Sequence, residues 1–296
     1  MSAGGILLLG RAGLVGWELE RALAPLGPVT ALGRDGADLS DPAALRALVR
    51  RHRPGWIVNA AAYTAVDRAE AEPEAAFAAN AEAPRVLAEE AGRLGCTLVH
   101  YSTDYVFDGT RRAPYRESDA PAPLNVYGRS KLEGERAIQA SGCDHLILRT
   151  TWVYGARGRN FLLTMLRLMG EREHVRVVAD QVGAPTSSRM IAQATALILA
   201  RRGAGGPSGV YHLTAAGQTS WHGFAEAIRG YLPETAARVE AIGTDGFPTP
   251  AVRPGYSVLD NGRIAADFGI ALPDWRDGLR LVMADHGALG GAGVSG

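Results

Sequence analysis

The first sixteen residues hold the feature that most limits the fold of this chain. An apolar run at Ile6–Leu9 leads directly into the glycine-rich turn Gly10-Arg-Ala-Gly13-Leu-Val-Gly16, and residues 17–24 have helical periodicity. Such a run is typical of a strand buried on both faces of a parallel sheet. Glycines at the next turn let a pyrophosphate approach the N–H groups of the helix start. We therefore predict a dinucleotide site here, with contacts from Gly10, Gly13, Leu14, Val15 and Gly16.

The same alternation of strand and helix continues to about residue 150. Strand-like runs occur at residues 29–32, 56–59, 98–101 and 146–149, and helix-like segments occur at 42–51, 74–94 and 126–139. Pro84 is a point at which the 74–94 helix can be interrupted. Repeated units of this length predict an α/β protein with a Rossmann-like, doubly wound parallel sheet. Ligands of such sheets bind at the carboxyl ends of the strands, where segments 59–64, 102–104 and 150–152 fall.

Beyond Trp152 the loops lengthen, and short strand-like pieces at 175–178 and 210–213 separate the helices. This change predicts a smaller, interleaved C-terminal lobe that binds substrate. We expect residues 1–152 to form a dinucleotide-binding domain to which later segments can return. Residues 153–286 would form mainly the substrate-binding lobe, and the Gly/Ala-rich residues 287–296 a flexible tail.

Tyr127 and Lys131 form the second informative pattern. Of the 31 basic residues counted as Lys+Arg, 30 are arginines and Lys131 is the one lysine. Residues four apart on a helix share a face, so the two side chains can converge on one ligand. A phenol has a pKa of about 10, and a nearby cation lowers it by favouring the phenolate. The pair is therefore a candidate acid–base site, although a solvated helical pair has the same spacing.

Composition excludes several classes of function. The formal net charge is zero, so no nucleic acid or anionic membrane is expected as a partner. The apolar runs are far shorter than a membrane span, and the N-terminus is interpreted as the first strand and not as a signal peptide. Cys96 and Cys143 are too few for a disulfide framework or a metal cluster. We expect a reduced, cytoplasmic compartment.

Several motifs together resemble the extended short-chain dehydrogenase/reductase family, and most closely its dTDP-4-dehydrorhamnose reductase branch. They span nearly the whole chain: the glycine turn, Asn59-Ala-Ala-Ala-Tyr-Thr-Ala-Val-Asp67, Tyr101-Ser-Thr-Asp-Tyr-Val-Phe107, Pro123-Leu-Asn-Val-Tyr-Gly128, Gly183-Ala-Pro-Thr186 and Arg253-Pro254 with Ser257-Val-Leu-Asp260. The resemblance implies hydride transfer from a nicotinamide to the C4 ketone of dTDP-4-dehydro-L-rhamnose, a nucleotide-linked deoxysugar.

The resemblance also implies roles for individual residues. Tyr127 would donate the proton to the C4 oxygen, and Lys131 would hold the nicotinamide ribose and lower the pKa of Tyr127. Thr103 would hydrogen-bond the same oxygen. Asp104 and Trp152 match positions that contact the sugar. Further cofactor contacts would come from Asp38, Leu39, Ala61, Ala62, Tyr63 and Thr64.

Cofactor choice depends on the residue after the second predicted strand. An acidic residue there would bind the ribose 2′-hydroxyl of NAD, whereas this chain has Arg34, which suits a 2′-phosphate. A solvated loop arginine is the alternative interpretation. We predict that NADPH is used at least as well as NADH, and that NADH is also accepted.

One departure from the family pattern concerns metal. Some bacterial members bridge a homodimer with magnesium through glutamates, one of them shortly after Gly-Ala-Pro-Thr. Arg189 stands near that position here, and an arginine cannot ligate a hard cation. We therefore predict no metal and no magnesium-bridged dimer, while a homodimer formed otherwise stays open.

Other activities also stay open. A dehydratase is disfavoured because Asp104 is followed by Tyr105, where such enzymes have an acidic pair. A 4-epimerase or a ketoreductase for another nucleotide deoxysugar would share Tyr127, Lys131 and Thr103. A non-catalytic subunit similar to the regulatory β subunit of methionine adenosyltransferase is the alternative from a different class, since fold alone does not fix function.

Overall fold

The structure is a computed structural model that describes residues 4–203, 205–233 and 237–287. The predicted tail lies outside these residues except for Gly287. The strands, in chain order, are β1 (Ile6–Leu9), β2 (Val29–Leu32), β3 (Trp56–Asn59), β4 (Thr97–Thr103), β5 (His145–Thr150), β6 (Val153–Tyr154), β7 (His174–Val178), β8 (Val182–Gly183), β9 (Thr186–Ser187), β10 (Gly209–His212), β11 (Thr219–Ser220) and β12 (Arg238–Ile242).

Helices fill the connections between these strands. They are α1 (Leu14–Ala22), α2 (Pro42–His52), α3 (Val66–Ala69), α4 (Pro73–Phe77), α5 (Ala83–Leu94), α6 (Val126–Ala140), α7 (Phe161–Glu171), α8 (Ser188–Arg202), α9 (Trp221–Arg229), α10 (Gly262–Phe268) and α11 (Trp275–Asp285). None of the helices in the described residues is long and apolar enough to cross a membrane.

Six parallel strands form the central sheet in the order β10-β5-β4-β3-β1-β2. β1 lies in the interior of the sheet, with β2 on one side and β3 on the other, so the direction of winding reverses between β1 and β3. Such a switch point leaves a crevice at the carboxyl ends of the two strands. The glycine turn after β1 and the segment after β3 therefore meet there, and the predicted fold class is confirmed.

Two apolar layers cover the sheet. On one face, Leu19 of α1 and Ile191 and Ile198 of α8 pack on Leu8 and Leu148. On the other face, residues of α2, α5 and α6 pack on the opposite sides of the same strands. Burial on both faces explains why β1 is apolar at every position.

A third cluster forms the smaller lobe, in which Tyr154, Phe224 and Trp275 pack among α7, α9 and α11. β7 and β12 pair beside it as a parallel ribbon. The 210–213 piece, expected in this lobe, instead contributes β10 to the edge of the large sheet, parallel to β5. α8 and α10 also pack on that sheet, so later segments do lie with it. The limits 1–152 and 153–286 stay a prediction.

Two element limits differ from those expected. α1 begins at Leu14, directly after the glycine turn, rather than at Trp17. β4 extends to Thr103, so this residue ends the strand instead of following it. The helix expected over 74–94, with an interruption near Pro84, is divided by a π-helical turn at Ala78–Glu82. A proline has no N–H for the regular ladder, which agrees with a local change of helix type at this point.

Candidate active site

The glycine turn leaves an open cradle at the start of α1. Gly10 has φ of +90°, a conformation that side chains rarely adopt, and its N–H donates to Leu32 O at 2.9 Å. A Cβ on Gly16 would lie 2.0 Å from Gly10 O, so only glycine permits this contact. Gly13 is the N-cap of α1, and the N–H groups of Leu14, Val15 and Gly16 form the first turn of that helix. This arrangement suits a pyrophosphate.

The segment after β3 forms the second wall of the cradle. A Cβ on Gly10 would meet Ala61 N at 2.6 Å, so the two segments touch through their backbones. Asn80, in the π-helical turn, holds the segment: its Oδ1 accepts from Tyr63 N at 2.8 Å and its Nδ2 donates to Tyr63 O at 3.0 Å. Of the predicted cofactor contacts, Ala61 thus lies against the glycine turn, and Ala62, Tyr63 and Thr64 follow it in the same segment.

Tyr127 lies near the start of α6, against the end of β4. Asn125 caps this helix by accepting from Gly128 N at 2.8 Å. Burial raises the pKa of Tyr127 to about 12, although a hydrogen bond with Thr103 lowers it. This direction is opposite to the one expected from the sequence, because desolvation of the phenolate outweighs the other contributions. The phenol is therefore protonated near neutral pH.

Asp104 follows Thr103 in the chain, and 2% of its surface is exposed. Its Oδ1 accepts from Thr103 Oγ1 at 3.0 Å and its Oδ2 accepts from Thr151 Oγ1 at 2.8 Å. Burial raises the pKa of Asp104 to about 6, and hydrogen bonds from Ser257, Thr151 and Thr103 limit the rise. The predicted sugar contact is thus a buried carboxylate that fixes the Thr103 hydroxyl.

Lys131 follows Tyr127 on α6 and is 2% exposed. Its Nζ donates to Tyr101 O at 2.6 Å and lies 3.1 Å from His100 Nε2. Both partners belong to β4, so the lysine ties the helix to the centre of the sheet. Burial lowers the pKa of Lys131 to about 8, while the charge of Glu135 raises it. A lysine in this setting is less firmly protonated than one in water.

Trp152 adopts a positive φ of +46°, which is uncommon for a residue with a side chain. Its ring stacks on Trp221 of α9, with centroids 3.6 Å apart and planes 6° from parallel. A Cβ on Gly183 would lie 2.5 Å from Trp152 Cε2, so glycine is needed there. The predicted sugar contact is therefore held between Trp221 of the smaller lobe and the backbone at Gly183.

Arg34 is exposed just beyond β2. Hydrogen bonds from Ser40 lower the pKa of Asp38, and the charge of Arg34 lowers it further. A Cβ on Gly33 would lie 3.7 Å from Arg11 Cγ, which places a second guanidinium arm near the end of β2. Leu39 packs against the core face that contains Leu7 and Leu9. Asp38 and Leu39 thus lie at the β2 end of the crevice.

Comparison with known proteins identifies the family. The model of the RmlD substrate binding domain matches residues 4–287. The dTDP-4-dehydrorhamnose reductase of Burkholderia thailandensis is 53% identical over 292 residues, which cover 95% of this chain and 98% of the relative. This chain belongs to the dTDP-4-dehydrorhamnose reductase family. The resemblance read from the motifs is confirmed.

Other members of the family extend the comparison. The structure of dTDP-4-dehydrorhamnose reductase from Bacillus anthracis, in complex with NADP, is 33% identical, has a TM-score of 0.89 and covers 96% of this chain and 100% of that one. A probable dTDP-4,6-dihydroxy-2-methyloxan-3-one 4-ketoreductase of Streptomyces antibioticus is 43% identical over 283 residues and covers 94% of both chains. Matches of this length include the glycine turn, α6 and the smaller lobe.

Arg189 marks the departure that the sequence indicated within the dTDP-4-dehydrorhamnose reductase family. Its guanidinium pairs with Glu18 of α1, at 3.4 Å, and with Asp285 of α11. The side chain therefore links three helices of one chain. Among the described residues, no group of three or more His, Cys, Asp or Glu side chains could hold a metal ion.

Two residues of the site, His100 and Asn80, were not predicted: His100 contacts Lys131, and Asn80 holds the segment after β3. Asn59 and Thr151 lie in the predicted segments 59–64 and 150–152 but had no predicted role; Asn59 contacts His100, and Thr151 binds Asp104. Arg253 forms two hydrogen bonds with Asp67, at 3.0 and 2.8 Å, and so joins the C-terminal segment to the loop after β3. The available signal was a polar residue inside an apolar run, as in Leu98-Val-His100-Tyr.

Proposed function

We propose that this protein reduces the C4 ketone of dTDP-4-dehydro-L-rhamnose to dTDP-L-rhamnose with NADPH. The observation that carries the proposal is the protonated Tyr127 phenol beside Thr103, at the carboxyl end of β4, in a chain so similar to dTDP-4-dehydrorhamnose reductases. When bound, the reduced nicotinamide supplies a hydride to C4 of the sugar. The remaining tasks are proton donation, orientation and exclusion of water.

The residues divide these tasks between them. Tyr127 gives its hydroxyl proton to the oxygen that becomes the C4 hydroxyl. The Thr103 hydroxyl donates to Asp104 Oδ1 in this structure. When the ketone is bound, this hydroxyl turns to donate its proton to the same oxygen and polarises the ketone. Lys131 holds the ribose of the nicotinamide. Trp152 forms the wall of the sugar pocket on the side of the smaller lobe.

The glycine turn suits the pyrophosphate of a dinucleotide, because the close approach of Gly16 to Gly10 O brings the first N–H groups of α1 to the turn. Arg34 supports NADPH over NADH because a guanidinium binds a 2′-phosphate by charge-assisted hydrogen bonds. The NADP complex of the Bacillus anthracis relative agrees with this choice. We expect NADH to be accepted less well or equally well.

The decisive experiment supplies purified protein with dTDP-4-dehydro-L-rhamnose and NADPH, follows the absorbance of NADPH and identifies the product by NMR. Tyr127→Phe is expected to lower kcat about 100-fold or more while NADPH still binds, because only the proton donor is lost. Tyr231→Phe, at the edge of the smaller-lobe core, is the matched control and retains full activity. A wild-type protein that reduces nothing, or an active Tyr127→Phe variant, contradicts the proposal.

A second candidate is reduction of another nucleotide-linked keto-sugar. The Streptomyces antibioticus relative supports it, because its name gives a different 4-keto substrate at 43% identity. Assays with several dTDP-linked keto-sugars separate the two, since turnover of a different sugar alone would exclude the rhamnose precursor. A regulatory subunit or an epimerase would show no net oxidation of NADPH in any of these assays.

We place the reaction in the cytoplasm, where the buried and unpaired Cys96 and Cys143 would stay reduced. The proposed partner is the nucleotide-sugar substrate, without nucleic acid or membrane. Any homodimer is expected to form without a magnesium bridge, because Arg189 is engaged with Glu18 and Asp285.

A further inference from the structure

A line of buried polar groups runs from the sheet to Lys131. Asn59 ends β3, His100 lies on β4, and Lys131 lies on α6, with exposed fractions of 1%, 0% and 2%. Asn59 Nδ2 is 3.1 Å from His100 Nδ1, and His100 Nε2 is 3.1 Å from Lys131 Nζ. The proposed mechanism uses the lysine alone. The order of donors and acceptors along the line shows what the other two residues do.

A backbone N–H group determines which groups donate and which accept along this chain of hydrogen bonds. Ala61 N–H lies 3.2 Å from Asn59 Oδ1, and a backbone N–H can only donate. The side-chain oxygen of Asn59 must therefore face Ala61, which turns the NH₂ group toward His100. An amide NH₂ group also can only donate, so His100 Nδ1 is the acceptor.

The position of the proton on the His100 ring then determines whether Lys131 Nζ donates or accepts. Complete burial lowers the pKa of His100 well below its usual value, so the ring is neutral and has one N–H. Since Nδ1 accepts, that proton is on Nε2. Nε2–H can only donate, and Lys131 Nζ can accept only through the lone pair of a neutral amine. One N–H of the amine then donates to Tyr101 O.

If Lys131 were an ammonium, the donor and the acceptor in each hydrogen bond between Asn59, His100 and Lys131 would exchange roles. His100 Nε2 would have to accept, Nδ1 would carry the proton, and the Asn59 amide would have to turn its NH₂ toward Ala61 N–H. Two donors would then face each other in a buried site, which is costly. The backbone at Ala61 thus favours the amine through two intervening side chains.

Apart from residues of β4 itself, the titratable and charged groups around Lys131 lie on α6, on β5 and just beyond β4. Glu135, on its own helix, favours the ammonium but is engaged with Arg149 of β5 at 2.9 and 2.6 Å. Tyr127 is neutral, and Asp104, beyond β4, is bound by hydroxyl groups. No charge in this set outweighs burial, since the pKa of Lys131 is lowered to about 8.

We propose that His100, oriented by Asn59, is a positioning residue that donates a hydrogen bond to Lys131 and stabilises its neutral amine in the cofactor-free protein. The importance of His100 for catalysis rests on the proposed function, in which Lys131 holds the cofactor ribose. The hydrogen bonds between Asn59, His100 and Lys131 do not depend on that function. The lysine then exchanges its proton close to neutral pH, and the pH range of that exchange is set by a histidine that touches no substrate.

The chain has one lysine, so protein labelled with ¹³C at lysine Cε gives a single side-chain signal. We expect its titration midpoint to rise by one pH unit or more in His100→Gln, a tenfold change in proton affinity. Glutamine places an amide near the position of Nε2, and its oxygen can accept from an ammonium whatever Asn59 does. His212→Asn, at another buried histidine that does not contact the lysine, leaves the signal unchanged.

Wild-type protein supplies the second measurement, which needs no folded variant. ¹⁵N NMR one pH unit above the lysine midpoint is expected to show His100 protonated on Nε2, with assignment through the contact of its ring with the lysine Cε protons. A proton on Nδ1, or a midpoint that is unchanged or lower in His100→Gln, overturns the inference. Neither measurement uses substrate, so the inference about His100 can be wrong while the reductase activity is confirmed. The inference can also be right while the reductase activity is not found.

Discussion

At the scale of single residues, we predict that Arg34 sets the choice of cofactor. Its guanidinium is exposed where β2 ends, beside the crevice at the switch point, and the side chain of Arg11 lies near the same edge. A charge-assisted hydrogen bond contributes about 1.5–3 kcal/mol, which corresponds to about tenfold or more in affinity. We therefore expect Arg34→Leu to raise KM for NADPH about tenfold and to leave KM for NADH nearly unchanged.

Steady-state kinetics with both cofactors test this expectation. Arg112→Leu removes an exposed arginine on the loop after β4 and is the matched control, with both KM values unchanged. An equal rise in KM for the two cofactors would mean that Arg34 supports the crevice without recognising the phosphate. A wild-type enzyme that strongly prefers NADH would exclude the 2′-phosphate role altogether.

At the scale of elements, the strand, turn and α1 act as one unit. A methyl group at Gly16 would lie 2.0 Å from Gly10 O, so either the turn or the helix must move. We expect Gly16→Ala to weaken NADPH binding tenfold or more and to destabilise the protein by about 1–3 kcal/mol, as overpacked sites do. Isothermal calorimetry and urea unfolding measure the two effects.

Gly170→Ala is the control for this element-scale prediction. Gly170 is exposed in α7, and a Cβ there meets nothing within 4 Å in the described structure. Alanine favours a helix over glycine by up to ~1 kcal/mol, so this variant should be as stable as the wild type or more stable. Unchanged cofactor binding by Gly16→Ala would show that the turn does not hold the pyrophosphate.

The elements also show what sequence could and could not predict. β1 to β5 were predictable because each contains a short apolar run between loop or helix segments, and the glycine turn indicates a close backbone approach. The return of β10 to the sheet was not, because Val210-Tyr-His212 has no local signal for the partner strand. Asn80 and His100 were missed for a related reason. Their partners lie 17 to 50 residues away in sequence, at Tyr63, Ser130 and Lys131.

At the scale of the whole molecule, distant segments converge on Asp104. Its oxygens accept from Thr103 of β4 and from Thr151 after β5, and Ser257 of the C-terminal segment also binds it. The ion pair between Asp67 and Arg253 joins the same C-terminal segment to the loop after β3. The site is therefore complete only when both lobes are folded, which links its charges to global stability.

Global unfolding should report the titration of Asp104. Because burial raises the pKa of the folded carboxyl to about 6 from 3.8, the folded state binds the proton more tightly. The resulting stability is fully present below about pH 4 and is lost as the pH rises through 6. Asp104→Asn should therefore gain about 1–3 kcal/mol relative to wild type between pH 4 and pH 7 in denaturant unfolding. Asp108→Asn should differ from wild type only below about pH 4, where the wild type loses stability as the pH falls, since hydrogen bonds from Tyr115 and Thr110 lower the pKa of Asp108. Parallel stability curves for wild type and Asp104→Asn would mean that the buried carboxyl keeps an ordinary proton affinity, and that Thr103 is fixed by a carboxylate at every pH tested.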